Sequence, residues 1–206
     1  MKKHNTLGFT LIEIAIALVI LAVLAGGAMM ALRVQTQRAH IVQTRDTLEE
    51  AREALYSFAM TQGYLPCPAV DARGEAGTCP SNTDGTTGTT SAGMLPWKDL
   101  GLGNTDAWGQ PLRYAVSNAL LAPAIPTLAA GTNSQLVVKD GANRLNSEGS
   151  VAFVLWSPGE DPAESTPIPL VNSQVQAGQN DDMLVWGSRF ILMGRLIQGG
   201  RNLPLR

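Results

Sequence analysis

The clearest pattern in the chain is an apolar run near its start that passes into an amphipathic stretch. Residues 14–32 carry no formal charge, and these 19 residues would cross a hydrocarbon core of roughly 30 Å as a helix. After them the chain turns polar, but apolar and small residues recur at three- and four-residue steps, which predicts one helical stripe: Ile41, Thr44, Leu48, Ala51, Leu55 and Phe58. Gly63 suits a helix C-cap, and Pro66 and Pro68 prevent continuation. The pattern predicts one helix over about residues 9–62.

The second half of the chain consists of short apolar runs separated by turn-rich segments. Three runs predict strands: residues 112–116, 136–138 and 151–156. The dipeptide Asp140-Gly141 is a turn signal between the last two runs. Residues 81–93 are rich in Gly, Thr and Ser and predict a flexible surface loop, and the prolines in residues 118–131 predict an irregular insertion. Residues 189–197 fit a strand or a short helix equally well.

Composition and charge narrow the class of protein. A hydrophobic content of 45% with 16% charged residues is typical of a globular protein. A length of 206 residues accommodates one sizeable domain with additional elements, or two small domains. The net charge of -2 provides no basic face, so direct binding of nucleic acid is not expected.

One carboxylate, Glu13, lies close to the start of the apolar run. An isolated acid on a lipid-facing helix costs roughly 2.5–3.5 kcal/mol on insertion scales, so it calls for a role. Lys2 and Lys3 precede the run, and a positive flank tends to stay in the cytoplasm, which predicts that the remainder lies on the other side of the membrane. A secretory signal peptide fits less well, because its apolar region usually covers about 7–15 residues. A plain membrane anchor explains the length but not Glu13.

The string Gly8-Phe9-Thr10-Leu11-Ile12-Glu13, with its basic leader and apolar helix, resembles the prepilin motif of type IV pilins and type II secretion pseudopilins. The resemblance implies cleavage by prepilin peptidase after Gly8 and methylation of the new N-terminus at Phe9. It also implies that Glu13 aids subunit docking by pairing with a neighbour's N-terminal amine. Such a pair would neutralise both charges in a low-dielectric filament core. An interaction of Glu13 with the dipole of its own helix is the alternative.

The resemblance also implies an architecture and a location. The expected fold is α+β and pilin-like: a long N-terminal helix packed on a head with a small antiparallel sheet. Four regions are expected: a leader at 1–8, a transmembrane and polymerisation helix at 9–35, an amphipathic stalk helix at 36–62 and a periplasmic head at 63–206. The expected protein is a single-pass inner-membrane subunit with a cytoplasmic N-terminus, which enters a filament. Its expected partners are prepilin peptidase, other pilin or pseudopilin subunits and the inner-membrane assembly platform.

A second resemblance lies in the head. Asp106-Ala107-Trp108-Gly109-Gln110-Pro111, followed by Tyr114, is similar to the D-x-W-G-x-P-x-x-Y stretch of major pseudopilins. In that group the stretch leads into the first strand of a small sheet. Core packing of Trp108 and Tyr114 around a tight Gly-Pro turn explains the same residues. Both interpretations assign the segment to building the fold.

Cys67 and Cys79 are the only cysteines of the chain. In an oxidising compartment they predict a disulfide, which would contribute on the order of 3 kcal/mol in the chain-entropy model. A metal site lacks further ligands, because one histidine, His4, lies in the leader and the other, His40, in the stalk. Free thiols are the remaining alternative.

A third resemblance concerns the acids near the C-terminus. Ser157-Pro158-Gly159-Glu160-Asp161 and the later Asp181-Asp182 are similar to the calcium-binding loop of major pseudopilins. Calcium takes six to eight oxygen ligands, so the resemblance implies Asp161, Asp181 and Asp182 as ligands, with Ser157 weaker. The chain departs from the pattern, since Pro162 replaces a glycine. Solvated or turn-capping acids are the alternative, and no cofactor is expected to be required.

The leading function is a structural subunit, a minor pilin or pseudopilin, because the head is larger than that of major pseudopilins. A membrane-anchored enzyme is disfavoured, since neither histidine lies in the head to complete a Ser/His/Asp set. A surface module for adhesion or DNA uptake on the same scaffold is the alternative. An acidic head argues against direct contact of that module with DNA.

Overall fold

The computed structural model describes residues 10–78, 90–121, 136–139, 151–160, 174–176 and 183–200, with no side chains described at 25–32 and 174–176. The chain divides into two compact units, residues 1–41 and residues 42–206. Helix α1, Leu11–Gln62, contributes residues to both units. The described part of the first unit is helical from Leu11 onwards. Among the described residues, no helix is both long and apolar enough to cross a membrane.

In the second unit, the predicted stripe of α1 is the core-facing side of the helix. Thr44, Leu48, Ala51 and Leu55 are fully buried, as the periodicity predicts. Ile41, at the end of the stripe, is exposed. The helix ends at the predicted cap: Gly63 has a φ of 89°, and its backbone N–H donates to the Ala59 carbonyl over 2.7 Å. Glycine accommodates this left-handed conformation without steric cost.

The head is built on a four-stranded antiparallel sheet, which confirms the α+β class. Its described elements follow α1 in this order: β1 Thr90–Met94, α2 Trp97–Leu100, β2 Arg113–Ser117, β3 Val137–Lys139, β4 Val151–Ser157, β5 Gln174–Gln176, β6 Met183–Ser188 and α3 Arg189–Gln198. The sheet order is β1-β2-β4-β6, so β1 and β6 are its edges. Strands β3 and β5 form a separate parallel pair.

Strand β4 is buried at every position because both faces of the sheet are covered. On one face, the side chains of α1 and α3 pack against those of the strands: Leu48, Leu55, Tyr56, Tyr114, Phe153, Leu155, Leu192 and Leu196. On the other face, β3 supplies Val138 to a second cluster with Val154 and Trp156. The rings of Tyr56 and Phe153 meet edge to face, with centroids 5.4 Å apart.

The three predicted strands are confirmed as β2, β3 and β4, and residues 189–197 fall in helix α3. Two expectations are wrong. Residues 90–93 belong to β1 rather than to a loop, because their backbone pairs with β2. Gly93 is required there for a different reason, since a Cβ at this position would lie only 2.6 Å from the Ala69 carbonyl oxygen. The first strand of the sheet is β1, not the strand after the tryptophan motif. The predicted turn at 140–141 lies outside the described residues, and of the strands on either side of it β3 pairs with β5, whereas β4 pairs with β2 and β6.

Candidate functional site

Helix α1 starts with a local contact between Thr10 and Glu13. The backbone N–H groups of Glu13 and Ile14 donate to the Thr10 carbonyl oxygen over 3.1 and 3.3 Å. Glu13 Oε2 in turn accepts a hydrogen bond from the Thr10 backbone N–H over 3.4 Å. This is the glutamate half of a capping box, and a carboxylate in the first turn also interacts favourably with the helix dipole. Gly8 and Phe9 lie outside the described residues.

The side chains that follow Glu13 are exposed on every side of the helix. All residues from 11 to 24 are solvent-exposed, including Leu11 at 87% and Val23 at 71%. A helix that is apolar all round is normally buried in a large core or in a membrane. The described residues of this unit provide no such core. The described residues leave this apolar surface uncovered.

The segment that contains Cys67 is held in the core of the head. Cys67 is buried, and the Tyr114 hydroxyl donates to the Pro66 carbonyl oxygen over 3.2 Å. Burial raises the pKa of the Tyr114 phenol well above its ordinary value, so the hydroxyl stays protonated as a donor. Cys79 lies outside the described residues, and the disulfide between Cys67 and Cys79 stays a prediction.

Ser157 is the one described residue of the predicted calcium set, and its hydroxyl is already engaged. It donates to Asp106 Oδ2 over 2.5 Å and accepts a hydrogen bond from the Gly159 backbone N–H over 3.1 Å. These two contacts tie the Ser157 hydroxyl to Asp106 and Gly159, and its role as a calcium ligand stays a prediction. Asp161, Asp181 and Asp182 lie outside the described residues. Within the described ranges, no group of acids, histidines and cysteines is placed to hold a metal ion.

The carboxylate of Asp106 joins the tryptophan motif to the end of β4. Its Oδ1 accepts hydrogen bonds from the backbone N–H groups of Trp108 and Gln110 over 2.9 and 2.8 Å, while Oδ2 accepts from Ser157. Next to it, the Ala107 backbone N–H donates to the Thr44 hydroxyl oxygen over 3.2 Å. The tryptophan motif is thus fastened both to α1 and to the end of β4. Sequence analysis placed Asp106 in a fold-building motif but missed its link to Ser157, 51 residues later.

A groove of about 470 Å³ lies in the head between α1, β6 and α3. Two acids on its α1 side are ion-paired. Glu49 pairs with Arg52, rather than with Arg45 four residues before it as the spacing suggests. Glu53 accepts two hydrogen bonds from the Arg195 guanidinium, over 2.5 and 3.2 Å. Arg195 also lies over the Tyr56 ring, 4.5 Å from its centroid.

These contacts set the electrostatics of the groove. The hydrogen bond from Arg195 is the main cause that lowers the pKa of Glu53, and the same bond raises the pKa of Arg195. Burial raises the pKa of the Tyr56 phenol. Three arginines and two glutamates line the groove, so its net charge is positive. Nothing in the local sequence indicates this site, because Arg195 follows Glu53 by 142 residues.

Comparison with known proteins identifies one feature of the chain. Residues 3–29 match the family model of the prokaryotic N-terminal methylation motif. The match covers the start of the chain and the first part of α1 and does not reach the head. No curated protein and no solved structure matches the chain.

Proposed function

We propose, from the premise that the chain carries the prepilin signal of type IV pilins and pseudopilins, that it is a structural subunit of such a filament. Its long helix and small antiparallel sheet form a pilin-like α+β arrangement. In this proposal, prepilin peptidase cuts after Gly8, and the mature subunit begins at a methylated Phe9. The subunit then enters a type IV pilus or a type II secretion pseudopilus, in a minor role that fits its large head.

The observation that carries the proposal is the direct connection of the prepilin signal to an exposed apolar helix. The match at residues 3–29 includes the part of α1 whose side chains at 11–24 are all exposed. Exposed apolar area of this extent is stable only when a bilayer or other apolar helices cover it. A subunit that waits in the inner membrane and then joins a helical filament core satisfies this requirement at both stages. The head, residues 63–206 in this proposal, lies in the periplasm.

The proposal gives Glu13 two successive partners. In the single chain, its carboxylate accepts the Thr10 backbone N–H over a long 3.4 Å contact. In the filament, the ammonium group of Phe9 on an adjacent subunit replaces that weak donor with a full opposite charge. A charged pair with good geometry offsets the cost of taking both groups out of water, whereas one unpaired charge does not. This exchange favours assembly over the isolated subunit.

Two features of the head belong to the same proposal. An oxidising periplasm would allow the Cys67–Cys79 disulfide to form, next to the anchored Pro66. Calcium binding would come from Asp161, Asp181 and Asp182 with backbone carbonyls, and Ser157, whose hydroxyl donates to Asp106, would be a weaker ligand. A thermal melt with and without chelator tests the calcium site, and an unchanged melting temperature argues against it.

Cleavage is tested by the mass of the N-terminal peptide of the protein isolated from its host. We expect a peptide that begins at Phe9 and is about 14 Da heavier than the unmodified sequence, which is the mass that one methyl group on the amine adds. A protein that still begins at Met1, or a cut near Gly27, contradicts the proposal.

The role of Glu13 is tested by Glu13→Gln, because glutamine keeps the capping-box hydrogen bond but removes the charge. We expect the variant to be processed and inserted normally, yet to be lost from sheared filament fractions. Glu13→Ala, which removes the cap as well, is the comparison variant. If Glu13→Gln enters filaments as the wild type does, the residue acts only as a helix cap.

A further inference from the structure

The groove between α1, β6 and α3 has one charge that the described part of the chain does not neutralise. Glu49 and Glu53 are paired with Arg52 and Arg195. Arg45 lines the same groove, is exposed, and forms no ion pair with any described residue. A partner that enters the groove therefore meets one available positive charge between two neutralised pairs.

The opposite wall of the groove also favours an acidic partner. Three consecutive residues of β6, at positions 184–186, line it. Successive side chains of a strand point to opposite faces of a sheet, so a lining of this kind follows the edge of the strand rather than one face. Strand β6 is an edge of the described sheet. The outer backbone N–H groups of an edge strand are available hydrogen-bond donors, and carboxylates accept from such donors strongly. Ile191, 53% exposed, adds an apolar contact.

The chain itself carries a surface that is complementary to this groove. Asp46 and Glu50 are exposed on α1, four residues apart, and neither has an ion-pair partner among the described residues. Residues at this spacing lie next to each other on one side of a helix. At about 100° per residue, they lie roughly 100° and 140° around the helix from Arg45, on the side opposite to the buried stripe. They therefore face away from the core and lie beside their own groove, about 20° and 60° around the helix from Glu53 of the groove wall.

We propose that the groove of one copy binds the Asp46–Glu50 side of α1 of a second copy. The contact joins two different patches of the head, and we take it as a head-to-tail contact rather than the self-complementary contact of a symmetric dimer. The proposal rests on the proposed filament function and deepens it by naming a contact between heads. It requires that at least two copies are neighbours in the assembly, so a subunit present once per filament would lack this contact.

The test uses two differently tagged full-length copies in the same cells. The first copy carries a photo-crosslinking amino acid at position 191, beside the groove. We expect it to capture the second copy, and we expect mass spectrometry to place the crosslink in the α1 segment that contains Asp46 and Glu50. Arg45→Glu in the first copy should reduce the crosslink about tenfold or more, because it opposes like charges. Asp46→Arg together with Glu50→Arg in the second copy should restore it.

Arg73→Glu is the matched control, since Arg73 is an exposed arginine on a loop that does not line the groove. It makes the same change of charge and should leave the crosslink unchanged. The proposal is overturned if Arg45→Glu leaves the crosslink unchanged, if the charge reversal does not restore it, or if the captured peptide lies elsewhere. Leader removal and filament incorporation are measured in the same cells. Normal values for both, with no crosslink, reject the groove contact while the filament function stands.

Discussion

The two ends of helix α1 have the same secondary structure and opposite environments. From residue 11 to residue 24 every side chain is exposed, although most are apolar. From Thr44 to Ala59 one stripe is fully buried against the sheet and α3, and the other sides are polar. Both parts belong to one continuous α-helix, so helix formation alone does not decide whether a side chain contributes to the stability of the head. The described residues leave the apolar side chains of the first part uncovered, which the proposed membrane or filament partners would bury, whereas the second part is buried within the chain.

The two acids of these regions differ in the same way. Glu13 is exposed and holds one long contact, whereas Asp106 is buried and accepts three hydrogen bonds. Glu13 can be released at little cost, which suits a residue that changes partners. Asp106 cannot, since its release would leave one buried hydroxyl and two half-buried backbone N–H groups without their acceptor. The comparison separates an acid proposed for assembly from an acid used for folding.

The largest expected effect is that of Asp106→Ala. One buried hydroxyl and two half-buried backbone N–H groups lose their acceptor, and we expect the head to lose about 3–5 kcal/mol of unfolding free energy, measured by denaturant titration. Glu13→Ala is the matched change in the other region, and it should leave the unfolding of the head within about 0.5 kcal/mol of the wild type. Comparable losses in the two variants would remove the distinction between the two acids.

A smaller effect is expected from shortening leucines of α1. Leu48→Ala removes a fully buried side chain and should cost about 2–5 kcal/mol in the unfolding of the head. Leu21→Ala, on the exposed part of the same helix, should leave that free energy unchanged but weaken retention in the membrane fraction. If Leu21→Ala destabilises the head as much as Leu48→Ala does, the first part of α1 also contributes to the stability of the head, and the contrast between the two parts fails.

The smallest effect is the pH dependence of the Glu53–Arg195 pair. Arg195 holds the pKa of Glu53 below its ordinary value of 4.5, so the stabilisation is present above that pH and is lost as the pH falls further. Because half of the Glu53 side chain is exposed, we expect less than about 1 kcal/mol. Glu53→Gln should therefore flatten the acid limb of the stability curve slightly. Its measure is the midpoint of urea unfolding from pH 3 to pH 6. If Glu53→Gln leaves the loss of stability at acid pH unchanged, that loss comes from other carboxylates.

The features that sequence analysis predicted are those determined by neighbouring residues. The buried stripe of α1 follows from spacing alone, and the end of the helix follows from Gly63 and the prolines after it. The exposed acid Glu13 is recognisable because the residues around it form one continuous motif. In each of these cases the residues that matter lie within a few helical turns of one another.

The features that it missed depend on distant residues. The pairing of β3 with β5 cannot be read from the turn signal at 140–141, because strand neighbours depend on the whole sheet. Likewise, the bond between Asp106 and Ser157 and the groove closed by Arg195 join positions that no local pattern connects. Residues 90–93 resembled a loop in composition, yet backbone pairing places them in a strand.

Helix α3 has a consequence for the order in which the protein can fold. Leu192, Met193 and Leu196 belong to the same cluster as Leu48 and Tyr56 of α1. The helix synthesised first is therefore covered in part by residues that leave the ribosome about 140 positions later. Until then, a nascent chain presents the apolar stripe of α1 to chaperones and proteases. A translation product that stops before α3 leaves part of this stripe uncovered, and so exposes an apolar surface that the finished chain buries.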